Sequence, residues 1–271
     1  MKDFQRLAIV FVTGAFISNK SWDAWRIYFE TKGYITIAPP WPYKDASAED
    51  LRKRQPDVFL ASVNLNQLID HYASIIKLLP EKPILIGHSV GGLVTQVLIN
   101  RELAAAGVVI HSLPPLGVIP FEISFWKSWW KSLHPFTSRK ETYLMSFQTW
   151  QYFFTNGMGP DEQKRAYNNF LVPESKLIIR DCLFANVAVD FKKPHVPLLI
   201  LAGSTDNAIP ASLNWRNYKK YQDISSVTNF KMLEGRNHFV LCQATWHEDA
   251  RYVLTWLEES GRYPTELTCC E

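Results

Sequence analysis

The sequence predicts an α/β protein: a doubly wound, mainly parallel sheet of about six strands, interrupted by an inserted and mostly helical cap. Three observations carry this. Short apolar runs alternate with longer amphipathic stretches over residues 1–113 and again over 194–271, the β-α alternation of a sheet covered by helices. The runs around Ile86, Val109 and Leu199 are continuous rather than alternating, as in strands buried on both faces. Between about Pro114 and Lys193 the alternation stops, and twelve of the 34 residues from Phe121 to Phe154 are aromatic. Residues 1–113 and 194–271 are therefore expected to form the core, and 114–193 the cap.

The elements follow in order. Leu7–Thr13 is the first apolar strand, and a helix capped by Ser21 follows it, with Trp22, Trp25, Ile27, Tyr28 and Phe29 apolar. Tyr34–Ala38 is a strand stopped by Pro39-Pro40, and after a polar segment a helix runs through Leu65, Leu68, Ile69, Tyr72, Ile75, Ile76 and Leu79. Pro83–Gly87 is the third strand, Gly91–Ala106 a helix and Val108–His111 a fourth strand. After the cap come strand Pro197–Ala202, helix Leu213–Tyr221, strand Val227–Leu233 and helix Glu248–Glu259.

A chain of 271 residues suits one large domain or one domain with an insertion. Hydrophobic residues make up 47% and charged residues 20%, and the net charge is +3; this is a globular balance without the dense basic block that nucleic acid binding requires. Cys182, Cys242, Cys269 and Cys270 match no zinc spacing and read as reduced thiols. No run approaches the ~18 apolar residues of a membrane span. The expectation is a cytoplasmic protein that acts on a small molecule, independent of membrane and nucleic acid. Its oligomeric state is not legible.

The segment that carries chemistry is Pro83-Ile84-Leu85-Ile86-Gly87-His88-Ser89-Val90-Gly91-Gly92. A buried strand runs into Gly-x-Ser-x-Gly and then a helix, the setting in which a strained turn presents a serine nucleophile. Gly87 and Gly91 let strand and helix pass close to Ser89, and the N–H of Val90 at the helix start can stabilise an oxyanion. A serine needs a base. His238, in Gly235-Arg236-Asn237-His238-Phe239, follows the last predicted strand and so shares a sheet edge with Ser89. Among the other histidines, His71 reads as a helix residue on a mostly polar side, His88 as a core residue and His111 as a strand end bordering the pocket. His134 and His195 lie in or next to the cap, and His247 opens the final helix at the surface. Asp206, after the strand ending at Ala202, is the acid that would orient the base.

These motifs make the chain resemble the α/β-hydrolase family over nearly its whole length. The matching pieces are Thr13-Gly14-Ala15-Phe16, the Ser89 turn, Gly203-Ser204-Thr205-Asp206 with Ile209-Pro210, and Gly235-Arg236-Asn237-His238. The resemblance implies Ser89, Asp206 and His238 as nucleophile, acid and base, and N–H groups of Val90 and Ala15 as the oxyanion hole. It implies neither metal nor organic cofactor. Thr13 stands where many relatives have a loop-bracing His. The compact layout is similar to plant methylesterases and hydroxynitrile lyases, but those lyases carry Lys after the triad His, where this chain has Phe239.

The expected activity is hydrolysis of an ester or related acyl bond of a small apolar substrate. C–C bond hydrolysis or lyase chemistry on the same triad is one alternative, and a non-catalytic small-molecule receptor is another. Phe16, Trp126, Trp130, Trp150 and Phe239 are the expected substrate-lining residues.

Overall fold

The computed structural model describes residues 4–5, 7–133, 141–184 and 187–266. Six parallel strands form the sheet: β1 (Ala8–Val12), β2 (Ile35–Ile37), β3 (Ile84–His88), β4 (Ala106–Ile110), β5 (Leu198–Gly203) and β6 (Thr228–Leu233), in spatial order β2-β1-β3-β4-β5-β6. Alternate residues of the same strands feed two separate cores. Val10, Val12, Leu85, Val109, Leu198 and Ile200 face α2 (Leu65–Lys77), α3 (Val90–Asn100) and α8 (Ala211–Tyr218). Ile9, Phe11, Ile84, Ile86, Val108, Leu199 and Leu201 face α1 (Asp23–Glu30) and α9 (Trp246–Glu259). This two-sided cover is why the strands read as unbroken apolar runs. Each fully buried Leu, Ile or Phe contributes roughly 1.5–3 kcal/mol relative to exposure.

Several boundaries differ from the sequence expectation. Ser18, not Ser21, caps the first helical stretch, because a 3-10 turn over Asn19–Trp22 precedes α1 and takes Ser21 inside it. The helix after Ser89 stops at Asn100 rather than Ala106, since Glu102 takes a left-handed φ of 61° that ends it and frees Ala106 to open β4. The polar segment before α2 folds into two short helices, Ala48–Lys53 and Val58–Ala61, capped by Ser47 and Asp57. α2 itself starts with a capping box between Asn64 and Gln67.

Between β4 and β5 the chain forms α4 (Ile123–Leu133), α5 (Phe147–Phe153), α6 (Pro160–Phe170) and α7 (Lys176–Leu183). Thr142–Tyr143 pairs antiparallel with Glu174–Ser175. α7 packs on α2 and α4, and α6 packs on the Ala48–Lys53 helix. A separate antiparallel pair joins Phe4–Gln5 to Thr265–Glu266. No helix among the described residues is long and apolar enough to cross a membrane.

The strand order reverses between β1 and β3, which opens a crevice beyond their carboxyl ends. The turn after β3 fits there because two residues lack a Cβ. A Cβ on Gly91 would lie 2.0 Å from the Val12 carbonyl oxygen, and one on Gly87 would lie 2.3 Å from that of Gly91. Both obstacles are backbone, which has no rotamer to yield. Gly91→Ala is expected to cost about 1–3 kcal/mol and to displace the turn. Chemical denaturation with a lowered midpoint and unchanged slope would show it; a midpoint equal to wild type would refute the close approach.

Candidate active site

Ser89 sits between β3 and α3 with φ 57° and ψ −120°, a conformation that L-residues adopt only under constraint. Its N–H donates to the Ile110 carbonyl at 3.0 Å, and its own carbonyl accepts from the N–H groups of Gly92 and Leu113. The strain is thus held by the neighbouring strand end and by the helix that follows. The residue is 1% exposed.

His238 arrives on the loop after β6. Its Nε2 lies 3.0 Å from Ser89 Oγ and its Nδ1 lies 2.7 Å from Asp206 Oδ2. Asp206 Oδ1 accepts from the N–H groups of Ala208 and Ile209 at 2.8 and 2.9 Å, so the carboxylate is anchored on one oxygen and aimed with the other. Burial pushes the Asp206 carboxyl up, but the His238 and His111 imidazoles beside it outweigh that and hold it well below its ordinary value. Because Nδ1 faces a carboxylate it carries the proton, which leaves the Nε2 lone pair to accept from the serine hydroxyl. The three residues named from the sequence are therefore brought into one hydrogen-bonded chain.

Two further histidines join it. His88 Nε2–H donates to the His238 carbonyl at 3.0 Å, tying the residue before the serine to the backbone of the base. His88 is fully buried, and desolvation, followed by the neighbouring His238 and His111, puts its pKa well below the usual histidine value. His111, at the end of β4, places Nδ1 2.8 Å from Asp206 Oδ2. Nitrogen atoms of His88, His111 and His238 fall within 4.8 Å of one another. Both ring nitrogens of His238 are engaged by Asp206 and Ser89, so a metal ion on this cluster would have to break that chain. His71 donates to the Pro40 carbonyl, His195 lies against Tyr221, and His247 is exposed. His134 lies outside the described residues, as do Cys269 and Cys270; Cys182 and Cys242 are free thiols.

The loop Thr13–Phe16 touches the serine: a Cβ on Gly14 would lie 2.8 Å from Ser89 Cβ. Side chains from distant elements hold this loop by its backbone. Tyr72 OH accepts from the Thr13 N–H, Trp41 Nε1–H donates to the Thr13 carbonyl, and Glu174 Oε2 accepts from the Phe16 N–H at 3.1 Å. Glu174 is fully buried and ion-paired with the buried Lys44, whose Nζ also lies 4.1 Å from the Trp41 ring centroid. Phe16 itself has a left-handed φ of 64°. The loop that carries Thr13 in place of His is thus braced by Trp41, Tyr72 and Glu174. The same loop pairs with the end of α6: Ser18 N–H donates to the Phe170 carbonyl and Val172 N–H to the Phe16 carbonyl.

An aromatic wall closes over the base. Phe153 and Phe154 approach the His238 ring at 5.3 and 5.0 Å between centroids. Trp150 stacks on Phe154 at 4.3 Å and meets Phe239, while Phe16 meets Phe153 and Trp129. Phe16, Trp150 and Phe239 are therefore in this cluster. Trp126 and Trp130 are not: they are 38% and 65% exposed on the outer side of α4, and Phe125 and Trp129 take its inner side. The expectation of Trp126 and Trp130 as lining residues is corrected by helical phase, since a window this rich in aromatics does not reveal which stripe faces inward. Phe153, Phe154 and Trp129 were missed for the same reason.

A strand–turn–helix serine, a histidine and an aspartate on successive strand ends define a hydrolase-type site. The family model described as "Alpha/beta hydrolase family" matches residues 9–251. The chain belongs to the alpha/beta hydrolase family, and it is a hydrolase. Among solved structures it is similar to a pyrethroid hydrolase from Sphingobium faniae JZ-2, with TM-score 0.68, 17% identity, and 96% of this chain and 100% of that one covered. A monoacylglycerol lipase from Paleococcus ferrophilus gives TM-score 0.65 and 16% identity over 96% and 98% of the two chains. A methylesterase from Arabidopsis gives 0.67 and 13% over 93% and 99%. At these identities the likeness is one of fold. No match is found among curated proteins.

Proposed function

We propose that the protein is a serine hydrolase that cleaves an ester or related acyl bond of a small, apolar substrate through an acyl-enzyme. The observation that carries this is the chain Ser89 Oγ–His238 Nε2, His238 Nδ1–Asp206 Oδ2, at 3.0 and 2.7 Å beneath an aromatic wall. Ser89 attacks the acyl carbon and its proton passes to His238 Nε2. The N–H groups of Val90 and Ala15 receive the negative oxygen of the tetrahedral intermediate. His238 then returns the proton to the leaving alcohol. Water, deprotonated by the same imidazole, releases the acid and restores Ser89.

The 114–193 segment acts as the cap in this reading, and α5 supplies the apolar face of the acyl site. Trp150 adds a polar handle: its buried indole N–H has no hydrogen-bond partner among the described residues, so a carbonyl or ether oxygen of the ligand would satisfy it. The ester and lipase activities named for the similar structures agree with an acyl substrate.

An active-site-directed fluorophosphonate tests the reading. The folded wild-type protein should label once per chain, at Ser89, and Ser89→Ala should not label. Turnover of a short aryl ester by Ser89→Ala should fall by roughly 10⁴–10⁶-fold. A folded wild type that fails to label, or equal labelling of the Ala variant, would end the proposal.

A further inference from the structure

We propose that His111 is a positioning residue for this triad: it shares the Asp206 carboxylate with His238 and thereby sets the pH at which the base becomes free. The inference rests on the serine-hydrolase reading. Asp206 Oδ2 faces two imidazoles at once, His238 Nδ1 at 2.7 Å and His111 Nδ1 at 2.8 Å. A nitrogen lone pair held that close to a carboxylate oxygen would be repelled, so both Nδ1 atoms carry protons. With the Ala208 and Ile209 N–H groups on Oδ1, the carboxylate then takes three hydrogen bonds and, at 2.8 Å, a fourth polar contact from His111.

Nδ1 meets Oδ2 off the axis of a hydrogen bond, and neither ring nitrogen of His111 has a well-formed hydrogen bond among the described residues. Nε2 lies against Gly203, where a Cβ would stand 2.8 Å from it. His111 also has a left-handed φ of 49°. A residue with an unsatisfied buried nitrogen and a strained backbone is a poor choice for packing alone. Its fixed feature is the 2.8 Å contact of Nδ1 with Asp206 Oδ2.

The consequence is electrostatic. Imidazolium at position 238 is stabilised by the charge of Asp206, and a second N–H dipole beside the same oxygen reduces what His238 receives. Removing His111 returns that charge to His238. The protonated base then persists to higher pH, so the acid limb of the rate profile moves upward. The other groups around His111 are His88 from β3, His238 itself, and Asp249 of α9, which is paired with Arg236. None of these is removed by the substitutions below.

The measurement is the second-order rate of fluorophosphonate labelling against pH, which needs no knowledge of the natural substrate. In that step Ser89 Oγ forms a bond to phosphorus, fluoride leaves with the P–F electron pair, and the serine proton goes to His238. His111→Leu should move the acid limb upward by about one pH unit, the scale expected for a hydrogen bond to a charged group. It should also lower the plateau rate about tenfold. His111→Asn should restore both, because its amide N–H occupies the place of Nδ1 and Asn tolerates left-handed backbone. His111→Gln, whose amide falls near Nε2, should not.

A folded His111→Leu with the wild-type limb overturns the proposal. If the Leu variant does not fold, Asn and Gln variants with equal profiles overturn it, and an upward shift in Gln alone supports it. Absence of labelling in wild type overturns the underlying serine-hydrolase reading and this proposal with it. Normal labelling with an unmoved limb overturns the role of His111 alone.

Discussion

Asp206→Asn is expected to lower kcat/KM by about 10⁴-fold while leaving the fold intact. Asp206 Oδ1 accepts from the Ala208 and Ile209 N–H groups, and Oδ2 faces the Nδ1 atoms of His238 and His111. An asparagine must keep its oxygen on the first pair, since its NH₂ donates and does not accept. That forces the NH₂ toward His238 Nδ1. The imidazole answers by moving its proton to Nε2, where it points at Ser89. A base that already carries the proton it should receive is no base. The check is a substrate assay beside a thermal melt: a variant that melts like wild type and loses activity carries the argument. A melt unchanged with activity within tenfold of wild type would mean that Asp206 does not set the tautomer.

The second large effect concerns stability. Lys44→Met leaves Glu174 buried as an unpaired carboxylate that still holds the Phe16 N–H. Breaking a buried pair by removing one partner costs about 3–5 kcal/mol. Burial already pulls the Lys44 pKa down, and Glu174 only partly restores it, so this pair is costly even when intact. At about 2–4 °C per kcal/mol for a chain of this size, the melting temperature should drop by roughly 6–20 °C. The double variant Lys44→Met with Glu174→Gln should recover part of that loss, because no charge is stranded and the amide oxygen still accepts from Phe16, while the Ser175 N–H loses the acceptor it has in Oε1. Equal melting of the single and double variants would show that the charge is not what Glu174 contributes.

How much of this could be read from the chain depends on the length scale of each signal. Ser89, Asp206 and His238 were legible because each lies in the loop after a strand, and parallel strands deliver their loops to one edge of the sheet. Their distances needed no more than topology. The aromatic wall was not legible in detail. Trp126 and Phe125 are adjacent in sequence, yet one faces solvent and the other the interior, and only the phase of α4 separates them. Lys44 and Glu174 lie 130 positions apart, on segments with no shared motif. Nothing local marks either as buried. His111 falls between these cases: its strand-end position gave its neighbourhood, while its hold on Asp206 depends on the register of β4 against β5.

The pairing of Phe16–Ser18 with Phe170–Val172 has a mechanical consequence. The bridge between Ile17 and Leu171, the two backbone hydrogen bonds beside it and the Glu174 carboxylate act as a row of stitches between the strand-end loop and the chain above it. Lifting residues 170–174 to admit a ligand would drag Ala15 with them and scatter the donors that the proposed chemistry needs. A second row fastens α4 to the loop after Asp206, where Ser128 Oγ–H and Trp129 Nε1–H donate to the Asn207 and Ala208 carbonyls. The chain above the serine is therefore sewn down on two sides, one beside the oxyanion donors and one beside the acid.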